Sequence, residues 1–144
     1  MYILVIEDNK EYRSLISEYL SQNKLEEKLV IEESNNIEKS LPLLDKKNYD
    51  VILLDLNLPE SNGIDTIKTI AHHLQSIGKK IPIIVLTGNE DYTIGKEAFN
   101  LGIKDFLIKG ETKTKELVRA IKFATYSKML PNRTPLAFLN PFKK

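Results

Sequence analysis

Apolar residues gather into five short runs rich in Ile, Val and Leu, at residues 2–6, 29–32, 51–54, 81–86 and 103–108. The first, third and fourth are almost continuously apolar, the pattern of strands covered on both faces. Between the runs the period changes. Tyr12, Leu15, Ile16, Tyr19 and Leu20 follow the spacing of a helix with one buried stripe. Ile64, Ile67, Ile70, Ala71 and Leu74 repeat it, as do Leu117, Ala120, Ile121 and Ala124. Asn9, Asn62 and the stretch Asn89, Glu90, Asp91 precede helical segments as N-cap regions. Gly78 and Gly102 stand where helices should stop. Pro42, inside the second helical segment, predicts a late start, a kink or a break. Strands alternating with helices imply right-handed βαβ units, here a three-layer, doubly wound α/β sandwich around a parallel sheet. The pattern by itself leaves strand order open.

A length of 144 residues bounds the chain to one ordinary domain with room for a core. The pattern stops after about Lys128, so residues 1–128 read as the domain and residues 129–144 as a tail or the start of a linker. There Pro131, Pro135 and Pro141 interrupt Leu136, Phe138, Leu139 and Phe142, as in a frayed tail that partly covers the domain or in a docking peptide. Lys plus Arg (21) nearly cancels Asp plus Glu (20), and a net charge of +1 lacks the basic excess of nucleic-acid binders. With no cysteine, disulfides, thiolate chemistry and Cys-based zinc sites are excluded. His72 and His73 are adjacent, and neighbours on a helix point about 100° apart, so they cannot face one metal together. No apolar run approaches the roughly 20 residues that span a bilayer. The start lacks the basic region of a secretory signal. A soluble, cytoplasmic protein is expected.

The chemistry sits at the ends of the runs. Glu7 and Asp8 follow the first, Asp55 the third, Thr87 the fourth, and Lys109 the fifth. In an open α/β sheet the carboxyl ends of parallel strands line one edge, where ligand sites lie. Three carboxylates, a hydroxyl and an ammonium would then share one crevice. Two carboxylates about 4 Å apart repel by roughly 4 kcal/mol at an effective dielectric of 20. Such a cluster calls for protons or a cation. Carboxylate oxygens without His or Cys favour Mg²⁺ or Mn²⁺, and a charge-compensated carboxylate can act as a nucleophile. Lys109 and Thr87 could hold phosphoryl oxygens, and Gly88 lets the backbone approach a ligand closely. Taken singly, Asp8 reads as a helix cap, Thr87 as a strand-end cap and Lys109 as a solvated lysine.

These motifs resemble the receiver domain of two-component response regulators. The resemblance runs from Met1 to about Lys128 and rests on four stretches: Ile3-Leu4-Val5-Ile6-Glu7-Asp8-Asn9, Leu53 to Pro59 around Asp55 with Asn62-Gly63, Val85-Leu86-Thr87-Gly88, and Asp105-Phe106-Leu107-Ile108-Lys109. It implies a flavodoxin-like five-stranded sheet in the order 2-1-3-4-5, an order for which a chemotaxis receiver is the general example. It further implies that Asp55 accepts a phosphoryl group from a histidine of a sensor kinase or phosphotransfer protein. Glu7, Asp8, Asp55 and the main-chain carbonyl of Asn57 would hold Mg²⁺. Thr87 and Lys109 would contact the phosphoryl oxygens, and Phe106 would move inward as Thr87 closes. That switch biases the face of the fourth helix, fifth strand and fifth helix toward a downstream partner, an output domain or a second copy. Such a chain is a signalling acceptor that assists its own phosphorylation and dephosphorylation, and not an enzyme. It binds neither nucleic acid nor membrane.

Two residues depart from the family pattern. Gly110 stands where proline, often after a cis peptide, is usual, and Phe106 stands where Tyr is frequent. Asn57 and Asn89 resemble positions that tune dephosphorylation. Among competing readings, a haloacid-dehalogenase-like phosphatase would need a titratable acid where Asn57 stands and would leave Glu7 and Asp8 without a role. A flavodoxin-like cofactor binder would need a phosphate loop where the chain has Glu7, Asp8, Asn9 and Lys10. A receiver-like module that binds partners without phosphorylation would have no need of all five site positions.

Overall fold

A computed structural model describes residues 1–22, 28–88 and 92–129. Ten elements alternate along it: β1 (Tyr2–Ile6), α1 (Lys10–Gln22), β2 (Val30–Ser34), α2 (Ile37–Lys46), β3 (Val51–Leu54), α3 (Gly63–Ser76), β4 (Ile83–Thr87), α4 (Tyr92–Asn100), β5 (Asp105–Ile108) and α5 (Thr114–Met129). The strands form one parallel sheet in the order β2-β1-β3-β4-β5.

The continuous apolar runs are explained by the pleat, which sends successive side chains to opposite faces. Leu4, Ile6, Ile52, Leu54, Ile83 and Val85 join one core with Ile37, Leu44, Ile67, Ile70, Leu74 and Ala98 of α2, α3 and α4. Ile3, Val5, Val51, Leu53, Ile84 and Leu86 join the other with Ile16 and Leu20 of α1 and Leu117, Ala120, Ile121 and Ala124 of α5. β1, β3 and β4, inside the sheet, are buried on both sides apart from Tyr2, whereas the edge strands β2 and β5 are only partly covered. Edge position is why those two runs carry polar residues.

Strand bounds shift at the edges. β2 begins at Val30 and reaches Ser34, beyond the expected 29–32, because its register follows β1 from Tyr2–Val30 to Ile6–Ser34. β4 starts at Ile83 after Pro82, which has no N–H to give a ladder, and extends to Thr87. β5 starts at Asp105; Ile103 is buried but precedes the ladder. The α1 stripe is narrower than its spacing implied. Ile16 and Leu20 are buried and Tyr12 half-buried, but Leu15 and Tyr19 are exposed at 39% and 38%.

Helix ends follow local chemistry. The Asn9 side chain accepts from the Tyr12 amide at 2.9 Å, and so caps α1 as expected. Asn62 precedes α3 in extended conformation but its side chain makes no capping bond. The cap expected at residues 89–91 lies outside the described residues. A cap the spacing did not single out is Asn36, whose Oδ1 accepts from the Lys39 amide at 2.7 Å. Glu60, in the loop after β3, also accepts from the Ile37 amide, so α2 is anchored twice at its first turn. At Pro42 neither a late start nor a break occurs: α2 starts at Ile37, ahead of the proline, and continues to Lys46. Pro42 lies on the exposed side, where the carbonyl it leaves unbonded can face water. Gly78 and Gly102 take φ of 69° and 96° directly after α3 and α4, the left-handed conformation that ends a helix.

Asn36→Ala should lower unfolding stability by about 1 kcal/mol, and Asn62→Ala, which removes no capping bond, by much less. Urea midpoints of the two variants check this contrast.

Candidate functional site

Chain direction opens the crevice. From β1 the chain passes into α1 on one face of the sheet; from the adjacent β3 it passes into α3 on the other. Between the carboxyl ends of these two strands neither helix covers the edge, which is the switch point of a doubly wound sheet. Glu7 and Asp8 emerge there from β1 and Asp55 from β3, with the Asp55 amide bonded to the Ile6 carbonyl at 3.0 Å. One carboxylate oxygen from each of Glu7, Asp8 and Asp55 lies within 4.8 Å of the others. Glu7 and Asp55 are buried, at 2% and 5% exposure, and Asp8 faces solvent.

Lys109, one residue past β5, spans two strands to reach this pair. Its ammonium contacts Glu7 Oε1 and lies 3.3 Å from Asp55 Oδ2. Its backbone is fixed by the bond from the Lys109 amide to the Thr87 carbonyl, 2.8 Å. Thr87 is fully buried at the end of β4, the strand paired with the β3 strand that precedes Asp55. The Asn57 amide donates to Asp55 Oδ1 at 3.2 Å. All five expected site positions therefore meet at one edge.

Their titration reflects crowding. Burial, and then the neighbouring Asp55, push the Glu7 carboxyl up to about 8, against the opposing pull of Lys109. Burial works against the Asp55 anion too, but is outweighed by the neighbouring Glu7, the Asn57 amide, the Lys109 charge and Thr87, so Asp55 falls below its ordinary value. Lys109 is likewise desolvated, yet Glu7 and Asp55 hold its ammonium above the usual lysine value. The two buried acids are thus driven apart, Glu7 toward its protonated form and Asp55 toward its anion. Glu7 Oε2 is buried without a hydrogen-bond partner. An orphaned carboxylate oxygen beside two further acidic groups, with no nitrogen or sulfur donor among them, fits a hard divalent cation.

Two contacts escaped the reading of the sequence. The Arg13 guanidinium donates to the main-chain carbonyls of Glu7 at 2.6 Å and Asp8 at 3.2 Å and pairs with Glu33 at 3.2 Å, clamping the strand end that carries the acidic pair. The ring of Tyr12 lies beneath the Lys109 ammonium, 4.3 Å from ring centroid to nitrogen. Both residues sit one turn into α1, next to the Asn9 cap. Tyr12 had been absorbed into the apolar stripe, and Arg13 carries no motif. Phe106 is half-buried against the α2–α4 core; a methyl at Gly95 of α4 would meet its ring at 3.8 Å. Among the described residues, nothing lies within 4 Å of a Cβ added at Gly88. Asn89 lies outside the described residues. No described peptide bond is cis, Lys109–Gly110 included, and Gly110 takes φ of 86°.

The sheet and its edge chemistry define a doubly wound module with a cation-seeking acidic crevice. The chain belongs to the response regulator receiver domain family, whose sequence model matches residues 3–122. It is 35% identical over 107 residues, 74% of its length, to the transcriptional regulatory protein SrrA of Staphylococcus aureus. The chain spans about 41% of the length of that curated relative. Among solved structures it is similar to the receiver domain of Francisella response regulator 1452, with a TM-score of 0.74, 21% identity, and coverage of 88% of this chain and 98% of that one. It is also similar to the receiver domain of sensor histidine kinase PA1611 from Pseudomonas aeruginosa, with a TM-score of 0.70, 26% identity, and coverage of 87% and 97%. That neighbour is described with a magnesium ion coordinated in its active-site cleft. This chain is a receiver domain of the two-component type, in a signalling role. None of its described helices is long and apolar enough to cross a membrane.

Between about pH 4.5, the ordinary Glu7 value, and about 8, the folded chain holds a proton that the unfolded chain has lost. With a chelator present, stability should therefore fall as pH rises through this window, by an amount on the order of a few kcal/mol. Asp55, shifted the other way, acts only below its ordinary value of 3.8, outside the window. Glu7→Gln should flatten the slope, as read from urea midpoints at about pH 5 and about pH 8.

Proposed function

We propose that Asp55 is the phosphoacceptor of a two-component phosphorelay. The observation that carries this reading is the geometry of the crevice: a buried Asp55 carboxylate grouped with those of Glu7 and Asp8, with the Lys109 ammonium at 3.3 Å and the Asn57 amide donating to it at 3.2 Å. A carboxylate oxygen of Asp55 bonds to phosphorus as the P–N bond to the donor histidine breaks. The imidazole leaves with the bonding electron pair and is protonated from solvent. Glu7, Asp8 and Asp55, with the main-chain carbonyl of Asn57, are the residues to hold Mg²⁺ or Mn²⁺, which when bound compensates their charge and draws in a phosphoryl oxygen. Lys109 holds a second phosphoryl oxygen by its ammonium, and the Thr87 hydroxyl a third. The donor is a sensor histidine kinase or a histidine phosphotransfer protein.

Output in this reading runs through protein contacts. Thr87 and Phe106 form the switch, Thr87 turning toward the phosphoryl group and Phe106 following against α4. The outer surface of α4 and α5 supports this, because Phe99, Phe123 and Tyr126 are 48%, 64% and 53% exposed. That face, with β5, receives a downstream partner, an output domain or, on phosphorylation, a second copy. Residues 1–128 form the receiver and residues 129–144 a tail or the start of a linker; the family match over 3–122 supports the first bound. A cytoplasmic setting and the absence of turnover as an enzyme belong to the same reading.

Incubation with Mg²⁺ and acetyl phosphate should add one phosphoryl group to the intact mass. Reductive trapping should map it to Asp55, and Asp55→Asn should take up none; equal labelling of the variant overturns the acceptor assignment. Thr87→Ala should still accept phosphate but lose the phosphorylation-dependent gain in partner binding or dimerisation, as followed by sedimentation.

A further inference from the structure

The Lys109 ammonium is surrounded on three sides. Two neighbours are acids, Glu7 and Asp55, and the third is the face of the Tyr12 ring, 4.3 Å from centroid to nitrogen. A lysine stem has four rotatable carbons and loses much rotamer freedom when held in one place. Its backbone is fixed, but that leaves the torsions of the side chain itself unset. The chain turns away at once, with Gly110 at φ of 86° and the Glu111 and Thr112 amides bonded back to the Ile108 carbonyl at 3.2 and 3.0 Å.

The two acids hold Lys109 only while their charge is free to do so. A divalent cation shared by Glu7, Asp8 and Asp55 draws on the same oxygens and repels the ammonium. A phosphoryl group on Asp55 takes one of those oxygens into a covalent bond. The attraction of a ring face for a cation survives both events, since it arises from the aromatic quadrupole and needs no ionised partner. The Tyr12 ring is itself well fixed. Its amide is tied to the Asn9 side chain at 2.9 Å, and the ring packs against the α1/α5 core.

We propose that Tyr12 is a positioning residue for Lys109, holding the ammonium over the crevice when the carboxylates are engaged elsewhere. The proposal rests on the phosphoacceptor reading above. An aromatic–cation contact at a half-buried site corresponds to a bias of between about twofold and thirtyfold toward the held rotamer. The effect should fall on the rate of phosphoryl acceptance and leave metal affinity alone, because Tyr12 offers its ring face to the lysine and no charge to the metal.

The test uses the full chain and two variants, Tyr12→Phe, which keeps the ring, and Tyr12→Leu, which keeps apolar bulk. The first readout is the proton chemical shift of the Lys109 side-chain methylene next to nitrogen, which a ring face moves upfield. It should be displaced upfield in wild type and in Tyr12→Phe, should stay displaced when Mg²⁺ is saturating, and should return to the ordinary lysine position in Tyr12→Leu. The second is labelling by acetyl phosphate. Tyr12→Leu should accept about three- to tenfold more slowly at saturating donor, within the bias given above, with an unchanged Mg²⁺ concentration for half-maximal rate. Tyr12→Phe should restore the wild-type rate. An identical methylene shift in wild type and Tyr12→Leu, or equal acceptance rates in the two, overturns the proposal. So does a shift that disappears on adding Mg²⁺ to the wild type. Wild-type protein that takes up no phosphoryl group overturns the acceptor reading first, and the positioning role with it. That outcome is distinct, because the methylene shift is measured without any phosphoryl donor.

Discussion

Two carboxylates buried side by side is the constraint around which this molecule is arranged. Glu7 and Asp55 end neighbouring strands in the middle of the sheet, where water cannot screen them. Neither can be removed from contact with the other, because the β1–β3 register that juxtaposes them also aligns Ile3 to Ile6 with Val51 to Leu54 in both cores. The fold therefore has to supply counter-charge from elsewhere. It does so with Lys109, brought in from β5 across a sequence separation of 102 residues. Folding and charge balance are in this sense one problem: the lysine arrives only when the far edge of the sheet has docked.

The same constraint explains why the crevice is responsive. A site with its charges fully matched would have no reason to take up a cation. Here a single ammonium meets the two buried acids, while Glu7 Oε2 has no partner and Asp8 adds a further carboxylate at the rim. Arg13 stabilises the backbone behind this cluster without neutralising it, since its guanidinium binds carbonyls and pairs with Glu33. Cation and acids are kept near each other but incompletely satisfied, which is the condition for binding something from outside.

Most of the fold was legible because the strongest signals were long and mutually consistent. Val51 to Leu54 and Ile83 to Leu86 could only be strands buried on both faces, and the placement of acids, hydroxyl and lysine after such runs located the crevice. Legibility failed where tertiary contacts override local pattern. The bounds of β2 were set by pairing with β1 and not by its own hydrophobicity. Leu15 and Tyr19 obey helical spacing yet remain exposed, because α1 turns its Tyr12, Ile16 and Leu20 edge to the core. Pro42 is accommodated on the exposed side of α2, where the carbonyl it leaves unbonded can face water. By spacing Tyr12 is one more member of a buried helical stripe; its aromatic face matters only because β5 delivers a cation above it.

The bond from Glu60 to the Ile37 amide has a wider consequence. Glu60 belongs to the segment that follows Asp55 and Asn57, and Ile37 opens a helix on the opposite side of β1 in the sheet order. The loop that frames one side of the crevice is thereby moored to a helix whose own strand, β2, lies at the outer edge. Any rearrangement of that loop must either carry α2 with it or release an amide to solvent. The Ile37 N–H is accordingly a built-in tell-tale, a single backbone proton whose exchange with water records whether the crevice wall is in place.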